Sequence, residues 1–403
     1  MRVLHVIPSV GPLRGGPSSV IRSLACGLSE QGIEVHICTT DDNGPERSDV
    51  PLGRPRIENG ATVFYFPRQF RLYTVSLPLA RWLMRNVHHY DLVHIHAVFS
   101  FASTIAAFCA RARRVPYLIR PLGVLNAWGL RNRRAALKQL SLRLVEKLMF
   151  ASAACVHFTS EQERQEALKA GVSAPSVVIP NPFSPLPTAL SKGEFRNAHP
   201  AINNRRIILF LSRLDRKKGL ELLLEAFACL RRGEACLVIA GDGEHAYKQH
   251  LRATAERLGL ADEICWTGFL NGSAKAAALA DADVFVLPSY SENFGNAVVE
   301  ALIAGVPVII SDQVAIHAEL SSCEAALVVP CEAAAISSAL GHLLSSPELA
   351  GRLRDRGPAA ARELFSLESV AGKLLESYRK ILRSSSGEEA AQIKSGATPA
   401  RTA

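Results

Sequence analysis

Two glutamates in one short stretch carry the most specific chemistry in this chain. The segment reads Pro288-Ser289-Tyr290-Ser291-Glu292-Asn293-Phe294-Gly295-Asn296-Ala297-Val298-Val299-Glu300. The apolar run before it reads as a buried strand ending at Pro288, and a helical pattern starts at about Asn296. In an open α/β sheet, ligands bind outside the carboxyl ends of the strands, so Glu292 lies on the loop that faces them. Asn296 is expected to cap the helix, whose first N–H groups then favour negative charge. Glu300 lies one turn further on, so the two carboxylates can meet different parts of one extended molecule. Acidic residues near a helix start are also ordinary partners of the helix dipole. That reading suffices for Glu300, but it does not account for a loop carboxylate beside Phe294-Gly295.

A second strand-to-helix loop is basic: Leu211-Ser212-Arg213-Leu214-Asp215-Arg216-Lys217-Lys218-Gly219. Arg213, just past a strand end, is placed for bidentate contact with phosphate oxygens, and Lys218 adds a point charge at the start of the next helix. The bland alternative is a solvated loop. Gly241 opens a Gly-Asp turn, which is common after a parallel strand. Gly15 and Gly16 follow the first strand, where a bare backbone can approach a phosphate or a sugar, with Ser18 as a candidate helix cap. Together with Gly11 they do not form G-x-G-x-x-G, so this is not the dinucleotide fingerprint. Asp281-Ala282-Asp283 spells a metal motif, yet it sits at a helix end feeding a strand, where Asp serves as turn chemistry. No metal site is expected.

The elements that must position these residues alternate along the chain. Strands are expected at 3–7, 34–39, 62–66, 92–96, 117–120, 154–158 and 177–179, with helices at 18–31 and 100–112 among them. A proline-rich break at 180–187 and a polar stretch at 191–206 follow. Strands resume at 207–211, 235–240, 264–267, 284–288, 306–310 and 326–329, with helices at 219–231, 246–259, 273–280 and 296–304. Val- and Ile-rich runs separated by helices indicate parallel sheets covered on both faces. The expected domains are 1–182 and 207–360, joined by a linker at 183–206. A helix at 361–383 is a candidate to pack back on the first domain, and 384–403 reads as a disordered tail.

Glu292 and Glu300, followed by Ala301 and Gly305-Val306-Pro307-Val308-Ile309, resemble the signature of the GT-B glycosyltransferases of family 4. The resemblance implies two Rossmann-like α/β/α domains with parallel sheets facing an interdomain cleft, the first for the acceptor and the second for a nucleotide-sugar donor. It implies retaining transfer from a nucleoside-diphosphate sugar, which is a substrate, with no cofactor and no metal required. Glu292 would face the transferred sugar and Glu300 the ribose, while Phe294, Gly295 and Asn296 hold sugar and diphosphate. Arg213 and Lys218 also match, and a metal-free enzyme needs such cations as the diphosphate leaves. Gly241 resembles the glycine loop near the nucleotide, Thr267-Gly268-Phe269 a base-contacting strand end, and Gly15 and Gly16 a loop over the donor phosphates. The acceptor-side candidates are His96 and Arg120. His96 ends a strand and is expected to point into the cleft, with His94 deeper on the same face; a lone strand histidine is otherwise a core residue. The chain departs from the family pattern at Arg120-Pro121-Leu122-Gly123-Val124-Leu125, where Leu122 replaces an expected histidine. This is closer to a subset with a downstream tryptophan, here Trp128. The acceptor suggested by the resemblance is a cell-surface glycan or a lipid-linked oligosaccharide. The alternatives are a nucleotide-sugar epimerase on the same plan and a non-catalytic sugar- or polyanion-binding subunit.

Charge adds one constraint. Residues 1–190 carry 22 Lys/Arg against 12 Asp/Glu, whereas 191–403 carry 24 against 25. The basic half is expected to meet something acidic. Arg131, Arg133, Arg134, Lys138, Arg143 and Lys147 are interleaved with leucines, as in a basic amphipathic helix that rests on anionic lipid through 131–148, or equally as in a solvated helix on a basic protein. No stacking aromatic array accompanies them, which argues against nucleic acid. Nine scattered cysteines without a C-x-x-C pair, no long apolar span and no signal peptide lead to an expected place in the cytoplasm, at the inner face of the membrane.

Overall fold

Apolar runs without polar alternation become strands buried on both faces. The computed structural model describes residues 1–126, 130, 135–183, 192–230 and 233–385. They form two units, Met1–Pro182 with the chain from Leu367 onward, and Phe183–Ser366.

The first unit contains β1 (Arg2–Ser9), β2 (Glu34–Thr40), β3 (Pro55–Glu58), β4 (Ala61–Phe66), β5 (Leu92–His96), β6 (Tyr117–Arg120), β7 (Cys155–Phe158) and β8 (Ser176–Val178). Their order is β8-β7-β6-β5-β1-β2-β4-β3. All neighbours are parallel except β3 and β4. The antiparallel edge strand β3 was not expected, because Pro55 and its exposed neighbours give no apolar signal. Alternate β1 residues serve two cores. Leu4 and Val6 pack with Leu79, Ala106 and Phe150, whereas Val3 and Ile7 pack with Ile21, Leu24 and Leu374.

The second unit contains β9 (Arg206–Leu211), β10 (Ala235–Ala240), β11 (Ile264–Gly268), β12 (Val284–Leu287), β13 (Val308–Ser311) and β14 (Leu327–Val329). The sheet is parallel throughout, in the order β11-β10-β9-β12-β13-β14. The chain winds outward from β9 in both directions, so the β9/β12 boundary is the topological switch point, where a doubly wound sheet opens a crevice at its carboxyl end. The basic loop follows β9 and the glutamate loop follows β12.

Three expectations are corrected here. Much of the stretch read as linker is folded: Glu194–Ala198 is helical, and Phe195 and Ile202 are buried in the second core. The single helix expected at 361–383 is two, Pro347–Phe365 and Leu367–Ser385, interrupted by Ser366 at φ −60° and ψ 147°. Ser384 and Ser385 end that last helix instead of opening a tail, and 386–403 lie outside the described residues. The last helix packs in the first unit, where its Tyr378 hydroxyl meets His94 Nδ1 at 2.7 Å.

Candidate functional site

The loops after β9, β10 and β12 are joined backbone to backbone. Tyr290 N–H donates to Lys217 O at 2.8 Å, and Leu214 N–H to Asp242 O at 2.9 Å. Gly219 has φ +65°, and a Cβ there would lie 2.0 Å from Pro288 O. A Cβ on Gly241 would lie 1.8 Å from Ser212 O. No side chain fits at either point, so glycine is what allows the loops to close on one another. Glu292 is held from the other side: its N–H donates to Gln313 O at 3.1 Å, and its carbonyl accepts from Ala315 N–H at 2.9 Å.

This framework brings Lys218 against Glu292. The ammonium donates to the carboxylate, with the lysine side chain 6% and the glutamate side chain 16% exposed. Lys218 closes a short 3-10 turn, Arg216–Lys218, just ahead of the helix Leu220–Ala228. Burial, with Lys217 and Arg213 alongside, pushes the Lys218 pKa down. The Asp215 carboxylate opposes that shift by favouring the charged ammonium. Arg213 is exposed and makes no ion pair among the described residues. The cluster thus has one solvent-facing cation and two sheltered ones, which can take up an anion without rearranging the fold.

Glu300 points to a different partner, Lys275, whose Nζ lies 2.7 Å from Oε1 with both side chains about a quarter exposed. Lys275 escaped sequence reasoning. It is a lone cation on an alanine-rich helix, Gly272–Asp281, 25 residues from the group it meets, and no local pattern marks it. Phe294 is buried edge-on against Phe365 at 5.4 Å. The helix after it is capped by Gly295 at φ +85°, with Asn296 as its first residue, so Asn296 is not the cap that was expected. The D-x-D carboxylates are structural. Asp281 accepts from Gly193 N–H and from Arg196 N–H at 3.0 Å, and Asp283 from Ile207 N–H at 2.8 Å.

In the first unit, the helix Gly16–Glu30 starts earlier than expected, with Gly15 as its cap. Ser18 Oγ instead donates to Gly11 O at 3.0 Å, so Ser18 ties the loop together and does not cap the helix. His96 is buried and does not project from its strand end: its Nε2 lies 2.9 Å from His5 Nδ1. His94 stacks on it at 4.2 Å between ring centroids, and His157 Nδ1 lies 3.3 Å from His94 Nε2. Arg120 is buried with them and donates to Asn181 Oδ1. Burial lowers the Arg120 pKa to about 10, and burial together with this guanidinium lowers His5 and His157 to about 3. His5, His94 and His96 offer ring nitrogens within 4.8 Å of one another, a spacing a metal could use. The adjacent guanidinium opposes a second cation there, and the histidines act as neutral hydrogen-bonding core.

The loops after β5 and β6 are strained. Ala97, Phe99 and Leu122 adopt φ of +73°, +56° and +61°, a region where each such residue costs roughly 1–3 kcal/mol. Two sheltered carboxylates hold these loops. Glu146 accepts from Phe99 N–H at 3.2 Å, and Glu163 from Gly123 N–H at 2.6 Å and Thr159 N–H at 2.7 Å. Neither was singled out in the sequence. Glu163 stands in a Ser160-x-x-Glu163 pattern, which reads only as a helix start. Trp128, Arg131, Arg133 and Arg134 lie outside the described residues.

The family model for glycosyl transferases group 1 matches residues 191–360, and that for a glycosyl transferase 4-like domain matches 15–182. The chain is 26% identical to a phosphatidyl-myo-inositol mannosyltransferase of Mycobacterium leprae, over 96% of this chain and 98% of that one. It is 24% identical to a GDP-mannose:cellobiosyl-diphosphopolyprenol alpha-mannosyltransferase of Komagataeibacter xylinus, over 95% and 94%. Among solved structures, an Anabaena protein in complex with UDP and glucose superposes with a TM-score of 0.75 at 20% identity, over 94% of this chain and all of that one.

Proposed function

Since this chain belongs to the group 1 glycosyl transferases of the GT-B fold, we propose that it moves a hexose from a nucleoside-diphosphate sugar to a lipid-linked or glycan acceptor, with retention at the anomeric carbon. The observation that carries this reading is the cation cluster of Arg213, Lys217 and Lys218, with Lys218 paired to Glu292, at the switch point of the second sheet.

In this reading the C1–O bond of the donor breaks and its electron pair stays with the diphosphate. Arg213 and Lys218 neutralise the growing charge from a framework already in place, which is where preorganised electrostatics act most strongly. The acceptor oxygen bonds to C1 on the face the diphosphate leaves, and its proton passes to the departing phosphate oxygen. Glu292 orients the sugar hydroxyls, and Glu300 with Lys275 receives the ribose. Gly241, Phe294, Gly295 and Asn296 shape the donor side. No metal is needed in this scheme because the cations are side chains. The M. leprae and K. xylinus relatives are named for a phosphatidylinositol and a diphosphopolyprenol, which supports a lipid-linked acceptor here. Cysteines that are free and in part deeply buried suit a reducing cytoplasm.

The test is thermal stabilisation with UDP-, GDP- and ADP-sugars, followed by transfer assays with the stabilising donor and anomeric analysis of the product by NMR. Transfer that survives chelation and collapses in Arg213→Ala and Glu292→Ala is expected. Near-wild-type rates in both variants, or activity lost to chelator and restored by manganese, would sink the proposal.

A further inference from the structure

Five neighbouring strands of the first unit carry polar groups on one buried face. Val3 of β1, Ile37 of β2, Leu92 of β5, Leu118 of β6 and Cys155 of β7 share a core with Leu374 and Tyr378 of the helix Leu367–Ser385. Side chains two residues apart on a strand point to the same face. His5, Thr39, His94, His96, Arg120 and His157 therefore line that face, and each is at most 2% exposed. With the strands in the order β7-β6-β5-β1-β2, they make one continuous polar layer.

Neutral rings satisfy one part of this layer. His157 Nε2 lies 2.8 Å from Ile179 O, which can only accept, so the His157 proton sits on Nε2. His157 Nδ1 then accepts from His94 Nε2 at 3.3 Å, and His94 Nδ1 accepts from the Tyr378 hydroxyl at 2.7 Å. The other part is left open. A single hydrogen bond of 2.9 Å joins His5 Nδ1 to His96 Nε2. His5 Nε2, Arg120 Nε and Thr39 Oγ1 are buried without a hydrogen-bond partner among the described residues. Arg120 donates to Asn181 Oδ1 and forms no ion pair among the described residues. Glu163 acts on it only through space, because its oxygens already accept from Gly123 N–H, Thr159 N–H and the Thr159 hydroxyl. Burial first and this guanidinium second lower the His5 pKa, which puts His5 and Arg120 within each other's field.

We propose that this face of the first unit binds one small monovalent anion of the halide class, held by Arg120 Nε–H and His5 Nε2–H with the Thr39 hydroxyl turned towards it. The ion selects the His5 tautomer that carries its proton on Nε2, so that His5 Nδ1 accepts from His96 Nε2–H. Buried polar atoms without partners call for a ligand, and a buried guanidinium without a carboxylate in contact calls for an anionic one. A water molecule accepts from the same donors but leaves the charge unmatched. A phosphate brings more charge than one guanidinium among neutral rings offsets. His96 and Arg120 are the last residues of β5 and β6, directly before the strained loops at Ala97 and Leu122. A bound ion thus fixes the strand ends on which those loops stand. The site is separate from the donor site and does not depend on the transfer reading.

The experiment is thermal melting of the full chain, without nucleotide, in sodium chloride or sodium bromide at roughly 1–150 mM, with sodium gluconate holding the ionic strength constant. The wild type should melt about 3–6 °C higher in either halide than in gluconate alone, the mass-action gain of a site that fills over this range. The Arg120→Met and His5→Phe variants should lose that rise. Crystals of the wild type soaked in bromide should show an anomalous peak in contact with Arg120 Nε, a readout that needs no variant to fold. Melting temperatures that do not distinguish halide from gluconate would overturn the proposal and leave the layer to water. A bromide peak without that solution effect would mean binding at crystal concentration only, and would count equally against it. A halide effect kept in full by both variants, or bromide found away from Arg120 and not beside it, would place the ion elsewhere and overturn it too.

Discussion

The Lys218 ammonium lies against the Glu292 carboxylate, 74 residues further along the chain, and both are largely withdrawn from water. Removing either partner leaves a sheltered charge unpaired. Lys218→Met and Glu292→Met are each expected to lower stability by roughly 1–3 kcal/mol, the penalty of an unsatisfied buried group. The double variant Lys218→Met/Glu292→Met should recover part of that loss, because the pair's desolvation disappears with it. Urea melts of the four proteins measure this; additive losses would show that the two groups do not interact.

Arg213 should separate activity from stability. It is exposed and lacks an ion pair among the described residues, so Arg213→Ala is expected to leave the melting temperature unchanged. The kcat/KM for transfer should fall about 10²- to 10³-fold, the usual effect of removing one preorganised donor to a developing anion. Arg213→Lys should restore little, since a point charge does not reproduce a bidentate fork. A melting temperature that falls together with activity would assign Arg213 a structural role.

Gly219 tests the loop framework. Gly219→Ala forces a methyl to within 2.0 Å of a carbonyl oxygen at φ +65°. Gly233 has φ +81° with nothing within 4 Å of its Cβ position, so Gly233→Ala meets only the conformational penalty of about 1 kcal/mol. The first variant should be several-fold more destabilised than the second and should also lose donor binding. Equal melting temperatures would mean that the β9 and β12 loops do not need this close approach.

Acid should loosen the first unit. His5 and His157 titrate near 3 in the fold because burial and Arg120 disfavour their charged forms. In the unfolded chain they titrate near the ordinary value of about 6.5. The unfolded state therefore binds more protons below that value. The stabilisation is complete above about pH 6.5 and is lost as pH falls towards 3, by about 1.4 kcal/mol per pH unit for each histidine. His157→Gln should flatten the dependence of melting temperature on pH between 6.5 and 5. An unchanged slope would show that His157 is not part of the acid response.

Much of this was legible in the residues, and the reason is local. Continuous apolar runs such as 207–211 and 235–240 can only be buried strands, and the polar, basic stretch after the first and the Gly241-Asp242-Gly243 turn after the second placed the loops. Glu292, Arg213 and Lys218 were marked by their places on the loops between strands and helices, and Glu300 by its place one turn into the helix after Glu292. What escaped notice was set by tertiary contact. Lys275 meets Glu300 across 25 residues, and the Glu163 carboxylate reaches Gly123 across 40. His96 looked like a strand-end side chain because nothing near it in sequence shows that His5 and Arg120 close over it. The capping residues were misplaced because glycines in left-handed conformations, Gly15 and Gly295, did what Ser18 and Asn296 were expected to do.

The pairing of His94 with Tyr378 has a consequence for how the protein is made. Residues 183–366 are an insertion within the first unit, whose closing helix leaves the ribosome after the entire inserted unit. Until then the β1 and β5 histidines and Arg120 lack part of their cover. A nascent chain stalled before 367 should present an incomplete amino-terminal half beside a finished second one, and holdase chaperones would have most to bind in that interval.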